Sequence, residues 1–179
     1  MSPSVIAVAQ DGTHRFSKFV VPEICLLKGL GVEGDAHCGE NVKHALARAG
    51  GSNPAKPSAD PSFPIRTIRR VCQKGFTVAP ADLGENITTG KIDLLALPHG
   101  TVSCIGTTAQ VEITDFRIPC AQIDASLPGL FFAVLIRKPG HLMRRSGIMG
   151  VVLEGGIVRA GNAIVSQIPV GPRRALERV

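Results

Sequence analysis

The chain has 179 residues, 44% of them apolar, which is enough to bury one domain-sized core. Twenty basic against fourteen acidic side chains give a net charge of +6 and favour a phosphate-bearing or otherwise anionic ligand. Nucleic acid is not the expected partner, because there is no Trp, no Tyr and only seven Phe to build a stacking platform.

In chain order, Val5 to Ala9 and Ile24 to Leu27 suit strands. Gly29-Leu30-Gly31-Val32-Glu33-Gly34 fits the G-x-G-x-x-G spacing of a dinucleotide-binding turn. The next residues, Asp35-Ala36-His37-Cys38-Gly39, offer no apolar helix face to pack on a sheet, so the stretch reads as a glycine-rich turn presenting Asp35 and His37. Val42, Ala45, Leu46 and Ala49 suggest a short helix. From Gly50 to Pro64 the glycine, serine and proline content predicts a mobile loop that maintains neither helix nor central strand. Asp82 to Gly90 reads as a turn entering a strand, with Glu85 and Asn86 aimed at a target or capping the turn itself.

Further on, Thr101 to Ile105, Val111 to Thr114, Met149 to Leu153 and Ala163 to Ile168 are predicted strands, with Gly155-Gly156 turning a hairpin. Leu127 to Ile136 has the clearest helical spacing, with Ser126 as its cap. These elements predict a mainly β chain with a few short helices: one domain over 1–170, then a tail over 171–179 that is either loose or a short helix.

Cys25, Cys38, Cys72, Cys104 and Cys120 show no C-x-x-C spacing, which argues against a disulfide framework. No apolar run reaches the roughly 18 residues of a membrane span, and the start of the chain lacks a basic, apolar leader, so a soluble cytoplasmic protein is expected. His37, Cys38 and His44 match no closed zinc spacing.

The candidate for chemistry is Cys120, in Phe116-Arg117-Ile118-Pro119-Cys120 directly after a predicted strand. A free thiol with a pKa near 8.5 is only about 3% thiolate at pH 7, and a nearby guanidinium raises that fraction by stabilising the anion. Arg117 is placed to supply the charge, while Pro119 would end the strand and hold the thiol at a sheet rim. The alternative is a small buried hydrophobe, since cysteine is among the most buried residue types.

Five stretches occur in the order found in one family: Thr13-His14-Arg15-Phe16-Ser17-Lys18, Gly31 to His37, Leu83-Gly84-Glu85-Asn86-Ile87-Thr88-Thr89, Arg117-Ile118-Pro119-Cys120 and Gly147 to Leu153. Together they resemble the MOSC proteins, named for the C-terminal domain of molybdenum cofactor sulfurases, over nearly the whole chain. The resemblance implies a MOSC-type β-barrel and a role in handling sulfur or the molybdenum cofactor (molybdopterin). By resemblance, Cys120 either carries a persulfide or coordinates molybdenum, Arg117 stabilises the anion or the cofactor's phosphate, and Asp35, His37, Glu85 and Asn86 line the pocket. Pyridoxal phosphate chemistry would belong to a partner desulfurase.

One departure stands out. Relatives carry an arginine-led strand and a helix before the equivalent of Gly75-Phe76, whereas Pro64 to Lys74 is too short and too basic to supply both, which implies either a lost element or a faulty gene model; Arg66 is the candidate stand-in for the family's arginine, with no site role carried onto it. A barrel short of one wall would expose apolar surface. Three readings remain: a sulfur carrier fed by a cysteine desulfurase, a molybdenum oxidoreductase acting on N-hydroxylated compounds with an external reductase, and a non-catalytic module that binds the phosphate-bearing pterin.

Overall fold

The computed structural model describes residues 2–13, 15–39, 62–67, 78–117, 135–138, 141–144 and 146–177. Thirteen strands lie among them: β1 (Ser4–Gln10), β2 (Phe19–Val21), β3 (Glu23–Leu27), β4 (Gly31–Val32), β5 (Ser62–Thr67), β6 (Ile87–Gly90), β7 (Val102–Ile105), β8 (Ala109–Phe116), β9 (Leu135–Lys138), β10 (His141–Arg144), β11 (Ile148–Glu154), β12 (Gly156–Arg159) and β13 (Ile164–Gln167). A single 3-10 turn at Leu94–Ala96 is the one helical element among the described residues.

Eight strands form one sheet in the order β13-β7-β8-β11-β5-β6-β1-β2; β12-β3-β4 form a second sheet, and β9 with β10 a hairpin. The mainly β expectation holds, but the large sheet is not closed into a barrel. Its two ends approach through β1, the neighbour of the end strand β2: Ser4 forms an isolated bridge to Ala163, just before β13, where Ile164 N donates to Pro3 O and Val5 N to Asn162 O.

Alternation drives the central ladder. In β8, Ala109, Val111 and Ile113 are buried while the residues between them are partly exposed, and β11 buries Ile148, Gly150 and Val152 in the same way. These residues, with Phe63, Ile65 and Ile87, form the core between the sheets, joined by Ile24, Leu26 and Val158 of the small sheet.

Several expectations are corrected. Ser62 to Pro64 belong to β5, an interior strand antiparallel to β11 and parallel to β6. Proline usually excludes such a position. Here Pro64 O accepts from Asn86 N, so the missing amide hydrogen falls on the β6 side, one step before the parallel ladder begins at Ile65 and Ile87. The strand expected after the proline-rich stretch is thus present and built partly from it, while the residues after Thr67 that would supply the helix lie outside the described residues. Leu135 and Ile136, assigned to a helix from their spacing, pair with Arg144 and Met143 in a hairpin, because cross-strand pairing overrides a short helical period. The remainder of that helix, and the one over 42–49, lie outside the described residues.

Gly155 and Gly156 do not turn a hairpin, since β11 pairs with β5 and β8 while β12 pairs with β3. They let the chain cross between sheets: a Cβ on Gly155 would lie 2.7 Å from Leu26 O. Gly29 to Gly34 forms the β3–β4 hairpin, with Leu30 N donating to Leu27 O. The end of the chain is docked: Leu176 is buried in the core, and Glu177 O accepts from Phe116 N. No helix among the described residues is long and apolar enough to cross a membrane.

Gly150 offers a direct test of this packing, because a Cβ there would sit 2.6 Å from Val111 Cγ1 and 3.3 Å from Ile65 Cδ1. Gly150→Ala should lose about 1–3 kcal/mol in urea unfolding. Gly150→Ala/Val111→Ala should lose less than the sum of the two single losses, because the smaller neighbour makes room for the methyl group; simple additivity would count against the contact.

Candidate functional site

Three distant stretches converge where β1 runs out and β6 begins. Asp35 lies just beyond β4, Lys18 just before β2, and Asn86 immediately before β6. Lys18 Nζ donates to Asp35 Oδ2 at 2.6 Å and to Asn86 Oδ1 at 2.8 Å, and Asn86 Nδ2 donates to Asp35 Oδ2 at 2.8 Å and to Ala9 O at 2.9 Å. The Lys18 and Asp35 side chains are only 3% and 1% exposed. A buried charge of either sign is costly unless paired, and here each satisfies the other.

Asp35 also organises main chain. Its Oδ2 accepts from Asp11 N at 3.2 Å, and its Oδ1 accepts from His37 N at 3.1 Å. His37 Nδ1 lies 3.2 Å from the same oxygen. Burial alone would raise the Asp35 pKa, but the hydrogen bonds from His37 and Lys18 and the Lys18 charge outweigh it and hold the carboxyl well below the usual range. An ionised carboxylate only accepts, so the ring nitrogen that faces it, His37 Nδ1, is the donor. The His37 side chain is 46% exposed, and of the Asp35, Asn86, Lys18 and His37 group it is the one that reaches solvent.

A second buried pair lies alongside. Arg66, from β5, brings Nε to 2.8 Å and Nη2 to 2.7 Å from Glu85 Oε1. That oxygen also accepts from Ala81 N at 3.1 Å and Thr88 Oγ1 at 2.9 Å. Arg66 and Glu85 are 2% and 0% exposed. Ala81 is held at φ +71, a conformation costly for a residue with a Cβ, and its carbonyl accepts from Lys18 N and Gly84 N.

Arg117 follows β8 directly. Its N donates to Gly147 O, its O accepts from Ser146 Oγ, and its Nη1 donates to Leu83 O. The guanidinium is near enough to Lys18 for its charge to weigh against the ammonium. Gly84 must remain glycine at φ +74, since a Cβ would collide with Phe16 O and crowd Arg117 Nη2.

The structure thus gathers Asp35, His37, Asn86 and Arg117 around Lys18, with Glu85 beside them in its own ion pair. Cys120 lies outside the described residues, as do Ile118, Pro119, His14 and Cys72. Lys18 and Arg66 received no site role from the sequence; the signal for Lys18 is its position at the end of a motif, and that for Arg66 its place as the candidate stand-in for the family's arginine. Among the described residues no three His, Cys, Asp or Glu side chains are grouped to hold a metal, and Cys25, Cys38 and Cys104 are free thiols.

A family model described as the MOSC domain matches residues 65–165, more than half of the chain. The chain belongs to the MOSC domain family. Solved structures share this MOSC fold across nearly its whole length. YiiM from Escherichia coli aligns with a TM-score of 0.61 at 20% identity, covering 97% of this chain and 73% of that one. YuaD from Bacillus subtilis gives 0.59 at 16%, covering 92% and 94%, and YiiM from Geobacillus stearothermophilus 0.58 at 13%, covering 92% and 75%. No curated protein matches the sequence. The family match begins at Ile65, so it takes in Ile65 to Thr67 of β5, Arg66 among them.

Because the Asp35 pKa is lowered by folding, the unfolded chain binds the proton first as the pH drops below about 4, and the stability this group contributes is present above that pH and lost as pH falls through the folded value. Asp35→Asn should cost about 3–5 kcal/mol at pH 7, because it leaves the Lys18 ammonium buried without a counter-charge. It should also flatten the acid limb of the stability curve. Denaturant titrations from pH 7 to 2 check both, and an unchanged acid limb would remove the ion pair from its central place.

Proposed function

We propose that this MOSC domain is a sulfur carrier in which Cys120, as a thiolate, accepts sulfur from a cysteine desulfurase. The Cys120 sulfur attacks the terminal sulfur of the donor's persulfide. A new S–S bond forms on Cys120, the donor's S–S bond breaks, and the donor leaves as its own thiolate, so charge and electrons balance. The resulting persulfide is delivered to an acceptor by the same exchange. The reading rests on family membership and on the fixed position of Arg117, three residues ahead of Cys120 and therefore within about 11 Å of it along the chain. Arg117 supplies positive charge next to the buried Lys18–Asp35 pair, the environment in which a thiolate or persulfide anion is favoured.

The family is associated with the molybdenum cofactor, and the described residues fit such a group in charge. Arg117 would meet the phosphate of the pterin and the half-exposed His37 its polar edge, while Asp35 and Asn86, whose polar atoms are engaged inside the protein, and Glu85, held through Oε1 by Arg66, would hold those groups in place. With no grouped metal ligands among the described residues, a molybdenum atom would be held through the Cys120 thiolate, a soft donor suited to it. Such a bound cofactor would supply oxo-transfer redox chemistry, with electrons from an external reductase.

Persulfide labelling after incubation with a cysteine desulfurase should be lost in Cys120→Ser and retained in the Cys25, Cys72 and Cys104 variants; labelling that survives in Cys120→Ser rejects sulfur carriage. Molybdenum and pterin, measured after anaerobic purification from a cofactor-making host, should be substoichiometric in wild type. Stoichiometric metal that disappears in Cys120→Ala would replace the carrier with a thiolate-ligated molybdenum enzyme. Pterin retained equally without the thiol would indicate a binding module.

A further inference from the structure

We infer that the buried Arg66–Glu85 pair is a positioning device for the site, setting the 79–86 main chain on which both Lys18 and Arg117 rest. Every link is a specific contact. Arg66 Nη2 donates to Ala79 O at 3.1 Å while the same guanidinium grips Glu85 Oε1. That oxygen holds Ala81 N, and Ala81 O in turn accepts from Lys18 N. Two residues further, Leu83 O accepts from Arg117 Nη1, and Asn86 Oδ1 accepts from Lys18 Nζ. Asn86 N is tied back to Pro64 O, so β5 anchors the segment through its backbone as well as through Arg66.

Neither member of the pair reaches a ligand, since Arg66 is 2% and Glu85 0% exposed. The arrangement is also lopsided for one that only fills space. Glu85 Oε1 receives four donors, while Glu85 Oε2 and Arg66 Nη1 are buried without a hydrogen-bond partner among the described residues. Leaving two charged-group atoms unsatisfied is costly, and a purely structural pair would relax to share its donors between both oxygens. The geometry instead concentrates the donors where Ala81 must be kept at its positive φ.

This inference rests on the proposed thiolate role of Cys120 for one of its readouts and is independent of it for the other. Glu85→Gln keeps the shape but removes the charge that balances Arg66. Arg66→Lys, which keeps the charge but loses the fork, is the variant to read if Glu85→Gln does not fold. Amide hydrogen exchange at Ala81 and Lys18 is expected to accelerate at least about tenfold while the central strands β8 and β11 keep their protection. Alkylation of Cys120 by iodoacetamide, read by peptide mass across pH, is expected to slow about tenfold at pH 7, as its midpoint moves about one unit towards that of a free thiol. Arg117→Met serves as the reference. If Arg117→Met shifts the Cys120 midpoint and Glu85→Gln does not, the positioning role is overturned and the thiolate reading stands. If Arg117→Met leaves the midpoint unmoved, the thiolate reading fails, and unchanged exchange at Ala81 and Lys18 in Glu85→Gln then overturns the positioning role separately.

Discussion

The contact on which the site depends is the one between Lys18 Nζ and Asp35 Oδ2, an ion pair almost wholly removed from water. Stability alone does not explain such a pair, because well-packed apolar residues of the same volume often hold a fold as firmly. What an apolar trio lacks is acceptors. Asp35 receives the amides of Asp11 and His37 and lies against the imidazole, and Asn86 passes the same anchorage to Ala9. One carboxylate thus fixes the end of β1, the chain leaving β4 and the entry to β6, three stretches brought together only by the tertiary fold.

Glu85 and Asn86 are adjacent in sequence but serve different networks. Asn86 joins the Lys18–Asp35 pair and Glu85 the Arg66 pair, and the backbone between them forces the two to share one geometry. A displacement of β5 would therefore be felt at Lys18 by two routes, Ala81 O and Asn86 Oδ1. Gly84 completes the arrangement by letting Phe16 O pass where no Cβ would fit, which brings the Lys18 stretch and the Arg117 side chain onto the same turn.

Strands whose burial alternates were legible from the chain, as with Val111 to Thr114 in β8 and Met149 to Leu153 in β11, because a half-buried strand writes its period into the residue types. The polar corners were legible too, since glycine next to Asp35 or Glu85 marks a backbone that must bend where a charged group is placed. β5 was not. Its residues Ser62, Phe63 and Pro64 resemble a loop, and what makes them a strand is the free edges of β11 and β6, one of them more than eighty residues away. Leu135 and Ile136 failed for a related reason, with a short apolar spacing overridden by pairing with Arg144 and Met143 in a local hairpin. Lys18 and Arg66 were missed because a cation's burial depends on its counter-charge, and nothing local ties Lys18 to Asp35 or Arg66 to Glu85.

The incomplete barrel has a bearing on where a site can be built. β1 divides its outer edge between two partners: its first residues bond to the segment over 161–164, and Val8 to Gln10 pair with β2. The bridge that brings the sheet's ends together therefore sits at the start of β1, and the ion-paired cluster at its finish. Along its inner edge β1 changes register against β6 between Val5 and Ala7, which separates the two halves of the strand. Beyond Val8 the inner edge of β1 outruns β6, and Ala9 N and O are both taken up by Asn86, through its carbonyl and its Nδ2, while Asp11 N is taken up by Asp35 Oδ2, so the polar cluster occupies the place that continued pairing with β6 would otherwise fill.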